Sequence, residues 1–139
     1  MFRIGIIGAG WIAHKMTLAL GYTDEACVYA IASRSEDKAR SFAEEHGIPM
    51  AYGSYEAMLD DTEVDLVYIA TPHSHHFAPA MLALEHGTPV LVEKAFTANA
   101  KEAKILIDTA RNKGLFITEA IWTRYMPLSH KIREIMDSG

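Results

Sequence analysis

The sequence is poor in cysteine: Cys27 is the only one in 139 residues, so no internal disulfide can form. It has no apolar run near the roughly 20 residues that span a bilayer, which argues against a membrane-spanning helix. Basic residues are fewer than acidic ones, 13 Lys+Arg against 18 Asp+Glu, for a formal net charge of −5. That deficit argues against a nucleic-acid or anionic-membrane surface, although a local basic spot can still hold one phosphate. There is no low-complexity tract and no block of like charge. The N-terminal MFRIGIIGAG lacks the basic lead-in of a signal peptide and reads better as a strand. These absences leave a reduced, cytoplasmic protein as the expectation. The composition is globular, 50% apolar and 22% charged, in a chain long enough to bury one core without staples.

Short β-rich runs alternate with helical patterns. Phe2 to Ile7, Cys27 to Ala32, Met50 to Tyr52, Asp65 to Ala70, Pro89 to Glu93 and Leu115 to Thr118 read as strands. Between them, Ala13, Met16 and Leu20 keep helical spacing, and Ser35, Ser54 and Asn99 are good N-caps. His46-Gly47-Ile48-Pro49 and His86-Gly87-Thr88-Pro89 end two helices by one device. His sits in the last turn, Gly takes the left-handed cap and Pro blocks continuation. Such alternation implies right-handed βαβ crossovers and an α/β fold. The expected architecture is a Rossmann-type, doubly wound parallel sheet of six strands in the order 3-2-1-4-5-6. It occupies residues 1–120. Residues 121–139 are a linker followed by one amphipathic helix with Leu128, Ile132, Ile135 and Met136 on one stripe. The stripe is expected to pack on the domain itself or on another copy, giving a homo-oligomer.

Gly8-Ala9-Gly10-Trp11-Ile12-Ala13 matches G-x-G-x-x-[GA] between a strand and a helix, the context that a dinucleotide turn requires. Gly8 permits the tight turn, Gly10 lets a pyrophosphate approach the backbone, and Ala13 lets the helix lie close on the strand. Gly8, Gly10, Trp11 and Ile12 are therefore candidate cofactor contacts. At the end of the second strand, where NAD binders carry an acid for the ribose, the sequence has Ser33-Arg34-Ser35. Arg34 can stack on adenine and meet a 2′-phosphate, with Lys38 one turn beyond, so the cofactor reads as NADP, with NAD the alternative. The bland reading is that Arg34 and Lys38 are solvated surface charges.

Thr71-Pro72-His73-Ser74-His75-His76 follows the fourth strand at the carboxyl edge, where such sheets bind ligands. The three histidines match no common zinc spacing, so no metal is expected there. His76 is read as facing the cofactor, and His73 and His75 as solvated. Glu93-Lys94 ends the fifth strand at the same edge. Lys94 can exchange a proton with a substrate hydroxyl, or it can be half of a strand-end ion pair.

Taken together, IGIIGAGWIA, ASRSEDKA, VDLVYIATP with His76 beyond it, VLVEK and LFITEAIWTRYMP cover nearly the whole chain in order. This set resembles the glucose–fructose oxidoreductase/inositol dehydrogenase (Gfo/Idh/MocA) family of NAD(P)-dependent dehydrogenases, and within it the dihydrodiol and xylose dehydrogenases. The resemblance implies a nucleotide-binding domain followed by an α/β substrate domain with an open antiparallel sheet. It implies that Lys94 assists hydride chemistry, that Glu93 lies by the nicotinamide, and that Thr71, Pro72 and His76 line its pocket. It also implies that Trp122 and Arg124 of the W-x-R segment lie near that end of the cleft. The substrate implied is the secondary alcohol of a sugar, polyol or dihydrodiol.

Two departures stand out. The family's Pro after the Lys is Ala95 here, which is expected to remove a cis option that X–Pro bonds have and redirect Lys94. The resemblance also implies a second domain whose residues have no counterpart within residues 1–139. The chain is read as the NADP-binding half of such an oxidoreductase, binding cofactor without efficient turnover. The rival reading is a non-catalytic dinucleotide-binding or interaction module.

Overall fold

The computed structural model describes residues 1–139. Its strands are β1 (Phe2–Ile7), β2 (Ala26–Ala32), β3 (Met50–Tyr52), β4 (Leu66–Ile69), β5 (Val90–Glu93) and β6 (Ile117–Ala120). Its helices are α1 (Trp11–Leu20), α2 (Glu36–His46), α3 (Tyr55–Leu59), α4 (Phe77–Glu85), α5 (Ala100–Lys113) and α6 (Pro127–Asp137). All strand pairs are parallel and the sheet order is β3-β2-β1-β4-β5-β6. This is the doubly wound order that the alternation predicts. Its topological switch point falls between β1 and β4, so the crevice above those strands is the natural ligand position.

The central strands are apolar throughout because helices cover both faces. One layer gathers Ile7, Met58, Val67, Ile69, Leu84, Val92 and Leu106. The other gathers Ile4, Ile6, Ala13, Ile31, Phe42 and Tyr68. Ala13 is fully buried, as a helix lying close on β1 demands.

The caps follow the sequence. Ser35, Ser54 and Asn99 accept from Lys38 N, Ala57 N and Glu102 N. Gly47 and Gly87 hold positive φ of 66° and 83°, as the paired His-Gly-x-Pro exits require.

Beyond β6 the chain makes a 3₁₀ turn over Trp122–Tyr125 and then α6. Here the expected packing of the stripe on the domain fails. Leu128, Ile132, Ile135 and Met136 are between 50% and 76% exposed. Pro127 starts α6 directly after extended Met126, and Ser129 Oγ donates to Thr123 O at 2.6 Å. The helix therefore stands on the turn before it and projects away from the sheet. No helix of the chain is long and apolar enough to cross a membrane.

Candidate dinucleotide site

β1 hands the chain to α1 through Gly8, whose φ is +105°. A Cβ at this position would lie 2.9 Å from the Ala70 carbonyl oxygen, so only glycine lets the tips of β1 and β4 close together. Gly10 is the N-cap of α1. A Cβ there would meet nothing within 4 Å, which leaves the backbone open to a ligand. α1 also differs from its capped neighbours. It has no side-chain cap and no acid in its first turn, so its leading N–H groups lack an anionic or polar partner. An open glycine cradle before uncapped amides fits a diphosphate by charge and by space. Trp11 is 71% exposed beside this cradle, with the Lys15 ammonium 5.2 Å from its ring centre. Ile12 instead packs against the core layer under α1.

At the end of β2, Ser33 Oγ accepts the Ser35 N–H and Ser35 Oγ accepts the Lys38 N–H. These bonds shape the strand-to-helix turn and leave Arg34 exposed. Arg34 forms one wall of a cleft of about 310 Å³ with Tyr55, Thr71, Pro72 and Ser74. Lys38 is not in that cleft. It lines a separate hollow with Ala9 of the glycine turn, Ser41, Phe42 and Glu45. The two cations therefore face different spaces, because Arg34 lies in the turn before α2 and Lys38 on the helix itself.

His76 sits beneath the surface with no exposure. Its Nδ1 lies 2.9 Å from the Ala95 carbonyl and its Nε2 2.8 Å from the Thr71 carbonyl. The ring thus bridges the loops after β4 and β5. It touches no open cleft, because both nitrogens are engaged with backbone. His73 and His75 are exposed.

Glu93 is 8% exposed at the end of β5. Its Oε1 accepts the Tyr68 hydroxyl at 2.7 Å and its Oε2 accepts the Lys94 N–H at 3.0 Å. Burial, then the hydrogen bond and the charge of Glu93, hold the Tyr68 phenol well above the usual tyrosine range. Glu93 and Trp122 share a hollow of about 250 Å³ with Met16, Leu91 and Ala120.

The Lys94–Ala95 peptide is cis, so Ala95 does not remove that geometry as its identity suggests. Its neighbours engage the segment from both sides. The His76 ring meets Ala95 O, and Phe96 N–H donates to Glu119 Oε1 at 2.8 Å. The Lys94 side chain lines a hollow of about 450 Å³ with Ala95, Glu119 and Trp122. Arg124 is exposed on the following turn.

The carboxyl edge of the sheet therefore brings Gly10, Arg34, Thr71, Pro72, Glu93, Lys94 and Trp122 to one side of the molecule. Tyr68 and Glu119 join them without having been singled out in the sequence. A hydroxyl inside an apolar strand needs a buried partner, and an acid at the tip of β6 stands at the ligand edge. Those were the available signals.

The model of an oxidoreductase family with an NAD-binding Rossmann fold matches residues 2–120. Trans-1,2-dihydrobenzene-1,2-diol dehydrogenase of Homo sapiens is 41% identical over 139 residues, covering 99% of this chain and 42% of that protein. D-xylose 1-dehydrogenase (NADP(+)) of Hypocrea jecorina is 59% identical over 88 residues, 63% of this chain and 22% of that protein. A 3-ketoreductase of Actinomadura kijaniata, solved with NADP, superposes with a TM-score of 0.90 at 33% identity, covering 99% of this chain and 44% of that one. The chain thus spans less than half the length of these relatives.

Proposed function

The chain belongs to the oxidoreductase family with an NAD-binding Rossmann fold, and from that premise we propose that it is the NADP-binding half of a dehydrogenase acting on a secondary alcohol of a sugar, polyol or dihydrodiol. The observation that carries the cofactor choice is Arg34, a cation where an acid would select NAD, exposed on the wall of the cleft that also holds Thr71 and Pro72. The dihydrodiol and xylose dehydrogenase relatives support the substrate class.

In this reading Gly8 and Gly10 admit the diphosphate to the amides of α1, with Trp11 and Ile12 shaping the turn. Arg34 meets the 2′-phosphate through charge-assisted hydrogen bonds, and Ser33 holds the turn that presents it. Lys38 lies in the neighbouring hollow, where Asp37 and Glu45 offset its charge, and so contributes less to the cofactor than Arg34. Thr71 and Pro72 line the cofactor's path, and His76 holds their loop. When bound, the nicotinamide supplies a hydride acceptor or donor. Glu93 fixes the Lys94 backbone, and Lys94 gives a proton to the substrate oxygen as its ammonium or takes the hydroxyl proton as its neutral amine. Trp122 and Arg124 border that end. Residues 1–120 are the dinucleotide domain, and residues 121–139 lead into a substrate domain that covers the α6 stripe. The exposure of Leu128, Ile132, Ile135 and Met136 and the greater length of the relatives both support this division.

Calorimetric titration of the chain with NADP(H) and NAD(H) tests the reading. NADP(H) binds tighter, and Arg34→Ala removes the preference at a cost of about 1.5–3 kcal/mol, the worth of a hydrogen bond to a charged group. Equal affinities that the substitution leaves unchanged would overturn the NADP assignment.

A further inference from the structure

One cluster of ligating side chains lies away from the hydride chemistry. His14 is on α1, and Glu45 and His46 are in the last turn of α2. His14 Nδ1 and His46 Nε2 are 3.0 Å apart, across 32 residues of sequence. Glu45 Oε1 is 3.7 Å from the same His46 nitrogen. The ligand atoms of all three lie within 4.8 Å of one another. We propose that His14, His46 and Glu45 form a site for one divalent transition metal, zinc by its donor set, that ties α1 to α2 and leaves a position open to water.

The orientation of His46 argues for a designed meeting. His46 and His86 occupy the same place in the two His-Gly-x-Pro helix exits. His86 Nδ1 turns back to the Leu82 carbonyl of its own helix at 2.9 Å, as a histidine in a last turn can. The His46 ring meets no carbonyl of its own helix. It aims Nε2 at another imidazole instead, and the two rings share a single hydrogen bond.

The spacing suits a metal. Two nitrogens bound at about 2.0–2.1 Å to a tetrahedral zinc lie about 3.3 Å apart, so the pair needs to open by only a few tenths of an ångström. Two imidazoles and a carboxylate suit zinc and its transition-metal neighbours, whereas magnesium and calcium prefer oxygen alone.

Burial divides the parts usefully. The His46 side chain is 8% exposed, with the Phe42 ring centre 4.5 Å from its own, so its direction is held by packing. The Glu45 side chain is 66% exposed, with its Oε1 beside His46 Nε2, so the site can be reached from solvent. Lys15, the cation next to His14, lies over Trp11.

The test is calorimetric titration of chelator-stripped chain with Zn²⁺, repeated with Co²⁺ to read the visible bands of a nitrogen-rich site. One Zn²⁺ per chain is expected, with a rise in melting temperature because the ion ties two helices. His14→Ala and His46→Ala should each weaken binding by more than about tenfold, the least that loss of a direct ligand should cost. Glu45→Gln should weaken it too. The paired change of His73→Ala and His75→Ala should leave it intact. His14 is only half-buried, so His14→Ala stays informative if His46→Ala unfolds the chain. Absence of one-to-one binding, binding that survives His14→Ala, or binding lost with His73 and His75 would each overturn the proposal. NADP titration reads the dinucleotide site separately, so the two assignments fail independently.

Discussion

The Tyr68 hydroxyl donates to Glu93 Oε1 at 2.7 Å, joining the middle of β4 to the tip of β5 inside the core. Glu93 spends its other oxygen on the Lys94 N–H. The position of a surface lysine backbone thus rests on a buried phenol on the neighbouring strand.

Tyr68→Phe should leave that carboxylate short of one donor. Stability should fall by about 1–3 kcal/mol, the cost of an unsatisfied buried polar group. Thermal unfolding followed by circular dichroism measures it. In a Glu93→Gln background the residual group is uncharged, and the same Tyr68→Phe change should cost less. Equal losses in both backgrounds would show that Tyr68 contributes packing alone.

Alkaline pH should weaken the fold in a defined direction. The Tyr52 hydroxyl donates to Asp61 Oδ2 at 2.7 Å. Burial first, then this bond and the Asp61 charge, push its phenol up to about 12. Tyr68 is shifted the same way. A pKa raised on folding gives stability that is complete below the unfolded value of about 10 and is lost as pH climbs through the folded value. Denaturant midpoints should therefore hold flat up to about pH 10 and decline above it. Tyr52→Phe should make that decline shallower between pH 10 and about 12.

The two turn glycines should separate stability from binding. Gly8→Ala places a Cβ 2.9 Å from Ala70 O on a backbone with φ of +105°, and should cost about 1–3 kcal/mol of stability. Gly10→Ala meets nothing within 4 Å. It should shift stability by no more than about 0.5 kcal/mol while sharply weakening dinucleotide affinity, because the new methyl group stands where the diphosphate approaches. Melting curves paired with NADP titration decide both.

Lys94 should matter to turnover and little to cofactor affinity. The isolated chain should bind NADP with negligible dehydrogenase activity on sugars or diols. No second wall holds substrate against the ring, and proximity supplies much of catalysis. Joined to the remaining part of a dihydrodiol dehydrogenase relative, it should turn over, and Lys94→Ala should lower kcat by about 10²–10⁴. An active Lys94→Ala chimera would leave Lys94 as an ordinary strand-end charge.

Periodicity and caps made the sheet order legible, because six apolar runs separated by capped helices leave few ways to wind a parallel sheet. The boundary of β6 moved from Leu115–Thr118 to Ile117–Ala120. Leu115 N–H is used to close α5, donating to Ala110 O at 2.9 Å, so the strand begins later. The position of Arg34 after β2 was readable because it follows from local sequence. His76 was misread as cofactor-facing because its partners are the backbone carbonyls of Thr71 and Ala95, which have no side-chain signature. The Tyr68–Glu93 bond spans 25 residues, and the cis bond at Ala95 lies outside what an alanine announces. Contacts set by tertiary approach were the ones that pattern reading missed.

The strand order places Arg34 at the tip of β2 and Lys94 at the tip of β5, on opposite flanks of the β1–β4 pair. In the proposed reading, nucleotide choice and proton handling therefore fall on separate loops of one frame. A graft of residues 33–38 from a relative with an acid after β2 would exchange the nucleotide and leave the reaction alone. A change around residues 93–95 would do the reverse. Such division of labour lets a lineage retune its redox supply without relearning its chemistry.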